Sequence, residues 1–166
     1  KYQIYVMHKR GVMNLGDKIV VANTGSNSLS IIDCHTWTES DRISMPPDSG
    51  PYALAKAKDK SHILVSQYYG DSLLYIDLQH KRIKKSLFLG RRPGYMAVDP
   101  LNNILYITNA DSDSISIVAV DDDIRLTGQL SVGSMPQGID YRFNDEVLAV
   151  ANTHSNSIYI INTIDC

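Results

Sequence analysis

Cysteine is nearly missing from this chain: only Cys34 and Cys166 occur. Two distant thiols make neither a disulfide framework nor a metal knuckle. Their redox state stays open, with a mutual bridge as one option. Excess charge is missing too. Sixteen basic residues stand against eighteen acidic ones, a formal net charge of -2. Nucleic acid and anionic membranes both reward a strong positive balance, so neither is an expected partner. Long apolar runs are absent. The longest resemble Ile19–Ala22 and Ile158–Ile161, far short of the roughly 20 residues that span a bilayer as helix. No apolar stripe of helical period persists beyond two turns. No signal peptide is visible. The chain opens on Lys1 rather than methionine, which suits a processed or excised piece, so a missing leader says nothing.

Catalytic signatures are equally scarce. There is no Gly-x-Ser-x-Gly elbow and no phosphate-binding glycine loop. His8, His35, His62, His80 and His154 show no metal-ligand spacing. Neither a metal nor a cofactor is expected, with one weak exception. Asn109-Ala110-Asp111-Ser112-Asp113-Ser114 is faintly like a calcium loop, with Asp111 and Asp113 as ligands. It lacks the turn glycine and the late glutamate.

What the sequence does have is a repeat. Val20-Val21-Ala22-Asn23-Thr24-Gly25-Ser26-Asn27-Ser28-Leu29-Ser30-Ile31-Ile32-Asp33 returns near the end as Val150-Ala151-Asn152-Thr153-His154-Ser155-Asn156-Ser157-Ile158-Tyr159-Ile160-Ile161-Asn162. Weaker copies run from Leu64 to Asp77 and from Tyr106 to Val118. The Asn/Asp-Ser pair falls at Asn27, Asp71, Asp113 and Asn156, with spacings of 44, 42 and 43. A second marker, Pro51, Pro93 and Pro136, has spacings of 42 and 43. Each unit reads as four short strands, A to D, joined by polar turns. Leu29 and Ile31, or Ile115 and Ile117, alternate as strand residues do. A fixed period of 40–45 residues with four strands per unit predicts propeller blades.

The fold class predicted is therefore all-β: a β-propeller of about four four-stranded antiparallel blades, or half of a larger ring. One domain covers 1–166, with repeats near 8–50, 51–92, 93–135 and 136–166. The last unit has no D strand. Tyr2–Met7 stands where one is needed and is expected to close the ring by covering that edge. Three readings stay open: a small ring, a piece of a longer chain, and a homodimer completing an eight-bladed ring.

Pro136-Gln137-Gly138-Ile139-Asp140, Ile104-Leu105-Tyr106-Ile107-Thr108-Asn109 and Ser26-Asn27-Ser28-Leu29-Ser30-Ile31-Ile32-Asp33 resemble the YVTN-type propeller repeat. Unit two departs most, with Gln67-Tyr68-Tyr69-Gly70 in the loop. The resemblance implies surface-layer, periplasmic or other extracellular proteins with diverse binding roles. It brings no shared catalytic motif.

Repeated residues are read as structural. Asn23, Asn109 and Asn152 are expected to bond turn backbone, and Gly25 and Gly70 to take positive φ. Residues that break the repeat are the functional candidates. Strand alternation puts the B–C loops and D–A connections on one face. There the candidates are Tyr68, Tyr69, Arg91, Arg92, Tyr95 and His154. Aromatics beside arginines suit a protein partner, a glycan or a small anionic molecule. The leading expectation is a non-catalytic binding or scaffolding propeller. The alternative is a channel enzyme or cofactor-binding module, whose ionisable set would be Lys56, Asp99, Asp140 and Arg142. The basic run Lys81-Arg82-Ile83-Lys84-Lys85 reads as an edge guard.

Overall fold

A computed structural model describes residues 9–164 except 60 and 143. The proposed closing strand Tyr2–Met7, and Cys166, lie outside the described residues. Four antiparallel sheets follow one another along the chain. Blade 1 holds β1 (Lys9–Asn14), β2 (Lys18–Asn23), β3 (Ser28–Asp33) and β4 (Glu39–Ser44). Blade 2 holds β5 (Pro51–Lys56), β6 (His62–Gln67), β7 (Ser72–Asp77) and β8 (Arg82–Phe88). Blade 3 holds β9 (Pro93–Asp99), β10 (Ile104–Asn109), β11 (Ser114–Val120) and β12 (Ile124–Ser131). Blade 4 has three described strands: β13 (Pro136–Arg142), β14 (Val147–Asn152) and β15 (Ser157–Asn162). Pro51, Pro93 and Pro136 each open a first strand, where a missing N–H costs the ladder least. Among the described residues no helix is long and apolar enough to cross a membrane.

The first strands adjoin one another, β1 on β5, β5 on β9 and β9 on β13, and so line the axis. Each sheet turns one face forward to the next blade and one backward. Val20, Ala22, Leu29 and Ile31 of blade 1 pack on Ile63, Val65, Leu74 and Ile76 of blade 2. Leu64, Leu73 and Tyr75 of blade 2 meet Leu105, Ile107 and Val118 of blade 3. Tyr106, Ile115 and Ile117 of blade 3 meet Leu148, Val150 and Ile161 of blade 4. Each fully buried Leu or Ile contributes about 1.5–3 kcal/mol. The core is thus three apolar layers between four sheets, not one centre.

Polar atoms stitch the blades. The β5 ladder skips between Pro51 and Leu54, leaving the Ala53 N–H without a ladder partner. It donates to Ser66 Oγ at 3.0 Å, and that hydroxyl donates to the Gly94 carbonyl of the next blade at 2.8 Å. Thr108 repeats the device: it accepts from Tyr95 N–H and donates to the Gln137 carbonyl. In blade 1, Thr24 Oγ1 reaches the Pro51 carbonyl at 2.7 Å.

The conserved-looking loop pairs act differently from the sequence expectation. Asn27, Asp71, Asp113 and Asn156 sit in the left-handed region, at φ 47°, 50°, 48° and 48°. Gly25 and Gly70 do not take positive φ; the left-handed residue follows them, and Asn and Asp tolerate it. The side-chain oxygens of Asn27, Asp71 and Asp113 accept from the N–H of Gly50, Arg92 and Met135 at 2.8–2.9 Å. Each loop thereby clips the connection into the following blade. Asn23 and Asn109 bond serine hydroxyls of the third strand, Ser30 and Ser116, at 2.8 and 2.9 Å rather than turn backbone.

The basic run also does more than guard an edge. Lys81 pairs with Asp41 of blade 1 at 2.5 Å and Lys85 with Asp123 of blade 3 at 2.6 Å. These exposed pairs bridge neighbouring blades at the outer rim, where solvent screens them.

Two outcomes follow from these contacts. Ser66→Ala removes a buried hydroxyl and leaves the Ala53 N–H and the Gly94 carbonyl without it, and urea unfolding is expected to show a loss of about 1–3 kcal/mol. Acid is the second lever. The His80 N–H and imidazole hold the Asp77 carboxyl down from its ordinary 3.8 to about 2. N–H groups of Thr36 and His35 hold Asp33 low as well. A depressed carboxyl stabilises the fold above its unfolded value, and that contribution disappears as pH falls through the folded one. Stability is expected to drop between about pH 4 and pH 2, and Asp77→Asn should flatten that part of a denaturation-versus-pH curve.

Candidate binding surface

Blade 2 breaks the repeat at its B–C loop, and the consequences converge on one spot. Tyr68 stands where blades 1, 3 and 4 have Thr24, Ala110 and Thr153; Tyr69 stands where they have Gly25, Asp111 and His154. The Tyr68 ring stacks on Tyr52, centroid to centroid 4.9 Å at 16°. Tyr95 meets Tyr52 edge-on at 5.3 Å, and Tyr69 meets Tyr68 edge-on at 5.2 Å. Offset and edge-on pairs each contribute roughly 0.5–1.5 kcal/mol beyond burial. Tyr52 is buried and lies on β5, one of the strands that line the axis. The cluster therefore sits on the loop face between blades 2 and 3, next to the channel mouth.

The arginines complete it. Arg91 and Arg92 replace the Ser49-Gly50 and Ser134-Met135 of the equivalent connections. The Arg92 guanidinium lies 5.4 Å from the Tyr68 ring centroid and 3.2 Å from Asp111. Arg91 approaches the same carboxylate at 3.9 Å, with its side chain 70% exposed. Arg92 has φ 54° immediately before Pro93, a strained choice for a residue with a Cβ. Its N–H is held by Asp71.

The loop backbone is pinned from below. Tyr68 N–H donates to the Gly50 carbonyl and Tyr69 N–H to the Ser49 carbonyl. The Tyr69 ring lies directly over Gly50, where a Cβ would collide with Cδ2, and Gly50 has φ 55°. Arg92 and Met135 hold the same left-handed φ at the equivalent positions, so it is the contact with the Tyr69 ring that singles out glycine here. Tyr69 itself remains 61% exposed. Beside the cluster a 450 Å³ groove runs past Phe88, Arg91, Ser112 and Gln129.

Five of the six candidates thus come together: Tyr68, Tyr69, Tyr95, Arg91 and Arg92. His154 lies on the same face but in blade 4, where its N–H bonds the Ser134 carbonyl; it joins none of these ring or ion-pair contacts. Sequence reading missed Tyr52 and Asp111, the base of the stack and the counter-charge. Tyr52 was detectable, since Gly94 and Gln137 follow the other two prolines. Asp111 pairs with the arginines, and Asp113 Oδ1 accepts from Met135, which is how the calcium-like loop uses its carboxylates. Among the described residues no group of three or more His, Cys, Asp or Glu side chains could hold a metal.

Of the channel set, Lys56 and Asp99 line one cleft between blades 2 and 3, and Asp140 and Arg142 lie on blade 4. Asp99 is buried and accepts from Leu101 N–H, Asn102 and Tyr141. Arg142 pairs with Asp145 at 3.1 Å. Asp140 accepts from the Tyr141 N–H. None of Lys56, Asp99, Asp140 and Arg142 pairs with another among the described residues.

Known proteins give the class. No family model matches the sequence, and no curated protein does. Solved structures match closely in shape. Hydrazine synthase of Kuenenia stuttgartiensis superposes with a TM-score of 0.83 at 16% identity, over 95% of this chain and 46% of that one. A putative 6-phosphogluconolactonase of Bacteroides uniformis gives 0.81 at 16%, over 92% and 50%. A periplasmic gluconolactonase of Pseudomonas aeruginosa gives 0.81 at 16%, over 92% and 49%. The chain is a β-propeller-type protein. It spans about half the length of these structures, and at this identity the likeness concerns the fold alone.

Arg92→Gly tests how the connection is held. Losing the Asp111 pair costs roughly 0–1 kcal/mol and the ring contact about 0.5–1 kcal/mol. Relief of left-handed strain returns about 1 kcal/mol. The melting temperature is expected to stay near that of the wild type. Gly50→Ala gains strain and a clash at once, and should lose about 1–3 kcal/mol in the same measurement.

Proposed function

We infer that this propeller is a non-catalytic binding module whose loop face between blades 2 and 3 engages a protein partner. The observation that supports this is the convergence of repeat-breaking residues. A structural residue recurs in every blade, as Asn27, Asp71 and Asp113 do. Tyr68, Tyr69, Arg91, Arg92 and Tyr95 occur once. They form a rigid aromatic base with two cations at its rim. Tyrosine and arginine are the residue types that dominate interface hot spots, and a pre-stacked base orders little on binding. The exposed Tyr69 ring offers an apolar anchor, and the exposed Arg91 takes a carboxylate. A glycan uses the same two features through ring stacking and an acidic sugar, and stands as the second reading.

The YVTN-like repeat and the periplasmic gluconolactonase among the structural neighbours favour action outside the cytoplasm. The lactonases among the structural neighbours also raise an enzymatic reading. Lys56, Asp99, Asp140 and Arg142, none paired with another among the described residues and Asp99 satisfied by its own turn and by Tyr141, do not favour it.

Tyr69→Ala with Arg91→Ala separates binding from folding, because both side chains are largely exposed. The double variant is expected to melt within about 2 °C of the wild type. Affinity capture should recover a partner with the wild type and lose it with the variant, by tenfold or more, which is about 1.4 kcal/mol. Undiminished capture would place the contact elsewhere. Turnover of 6-phosphogluconolactone by the wild type would overturn the non-catalytic reading.

A further inference from the structure

At the end that carries the A–B and C–D turns, the gaps between blades are closed by different side chains. Main-chain hydrogen bonds identify the equivalent positions. Leu15 N–H donates to the Lys18 carbonyl and Ala57 N–H to the His62 carbonyl, so Ala57 stands where blade 1 has Leu15. Leu78 N–H donates to the Ser61 carbonyl and Val120 N–H to the Asn103 carbonyl, so Val120 stands where blade 2 has Leu78. Strand register gives a third position. Val98 pairs with Leu105 on β10, and Tyr141 with Leu148 on β14.

Leu15 and Leu78 pack into the core between blades 1 and 2. Between blades 3 and 4 the Tyr141 ring takes the space, 5.5 Å from the Tyr106 ring, and its hydroxyl donates to Asp99 at 3.0 Å. Between blades 2 and 3 the corresponding residues are Ala57, Val120 and Val98. All three are short, and a cleft of 260 Å³ remains. Interiors of folded proteins leave few voids larger than a water molecule. Both walls are in place here, since blades 2 and 3 each have four strands. The floor is Leu64 and Leu105, both buried, while Val98 is left 43% exposed.

The mouth of the cleft is polar and mixed in charge. Lys58 and Asn103 border both the cleft and a second hollow that carries Asp59, Asp121 and Asp122. An anionic ligand would meet those carboxylates, and a cationic one would meet Lys58. A neutral hydroxyl suits both, because it accepts from an ammonium and donates to a carboxylate or an amide oxygen. Asp99 also borders the cleft, but Leu101 N–H, Asn102 and Tyr141 already occupy its two oxygens. We propose that this cleft binds a single-ring phenolic molecule, its ring against Leu64 and Leu105 and its hydroxyl at Lys58 and Asn103. The ring takes the place that Tyr141 fills in the next gap, so the chain itself supplies the shape of the ligand. An apolar cavity of about 150 Å³ accepts benzene, and 260 Å³ admits the ring with its hydroxyl. Water in the same place would face mostly apolar walls and find few partners. The cleft opens on the turn face, so the proposal is independent of the tyrosine–arginine cluster on the loop face.

A fluorine NMR titration of the whole chain with para-fluorophenol, up to about 10 mM, tests it. The wild type is expected to bind saturably, with a dissociation constant of about 1 mM or below. Ala57→Leu, which restores the side chain found at Leu15, should weaken that binding by tenfold or more and leave the circular-dichroism spectrum unchanged. Val120→Leu fills the cleft from its other wall and should do the same, so the result does not hang on the folding of one variant. Tyr69→Ala with Arg91→Ala should bind para-fluorophenol as the wild type does. Four outcomes would each overturn the proposal: no saturable binding by the wild type, undiminished binding by a folded filled variant, loss of binding in the loop-face variant, or tighter binding of para-fluorobenzoate or para-fluorobenzylamine than of the phenol.

Discussion

Every blade of this molecule depends on the meeting of two apolar sheet faces, forward on backward. A single four-stranded sheet of this size cannot hide both of its faces. Val20, Ala22, Leu29 and Ile31 are buried because Ile63, Val65, Leu74 and Ile76 lie on them. The dependence then passes to the next blade, because strand alternation gives the same sheet a second apolar side. The polar features serve that arrangement. Hydroxyls at Ser66 and Thr108 join one blade's bulge to the next blade's carbonyl. The left-handed Asn27, Asp71 and Asp113 fix the angle at which the chain enters the following sheet.

The candidate surface is a by-product of the same geometry. The clip at Asp71 delivers Arg92 beside the loop that carries Tyr68 and Tyr69, because B–C loops and D–A connections share one face. Any residue placed at those positions meets its counterpart. Blade 1 uses the meeting for small residues and a second hydrogen bond, from Ser49 to Asn27. Blade 2 uses it for rings and a guanidinium. Binding capacity thus comes from side chains exchanged on an invariant backbone, and the fold likeness to hydrazine synthase or to gluconolactonases carries no substrate with it.

Much of this was legible in the sequence, for a definite reason. A period of 42–44 residues and alternating Leu, Ile and Val residues are long-range signals, repeated enough to fix strands, turns and faces. The B–C and D–A positions were readable for the same reason, so all six candidates could be assigned to one loop face, where the structure brings five of them into contact. The failures are local. Gly25 and Gly70 suggested positive φ, but the preceding turn is a short helical one in blades 1 and 3, and the left-handed residue comes at its end. Asn23 and Asn109 turn inward to serine hydroxyls because Ser30 and Ser116 are buried beside them and need a donor. His154 looked equivalent to Tyr69 and is; the alternation rule gives its face and not its blade, so it stands apart. The roles of Lys81 and Lys85 depended on which carboxylates lay across the gap between blades, which no single repeat can reveal.

The layered core has a consequence for cooperativity. Among the described residues blades 2 and 3 each have a neighbour on both sides, whereas blade 4 packs on blade 3 alone and leaves Ile158 and Ile160 bare. In a quasi-linear stack, local stability is set by nearest neighbours. Fraying should therefore begin at β13 to β15 and travel inward, so that amide protection climbs toward the centre of the arc.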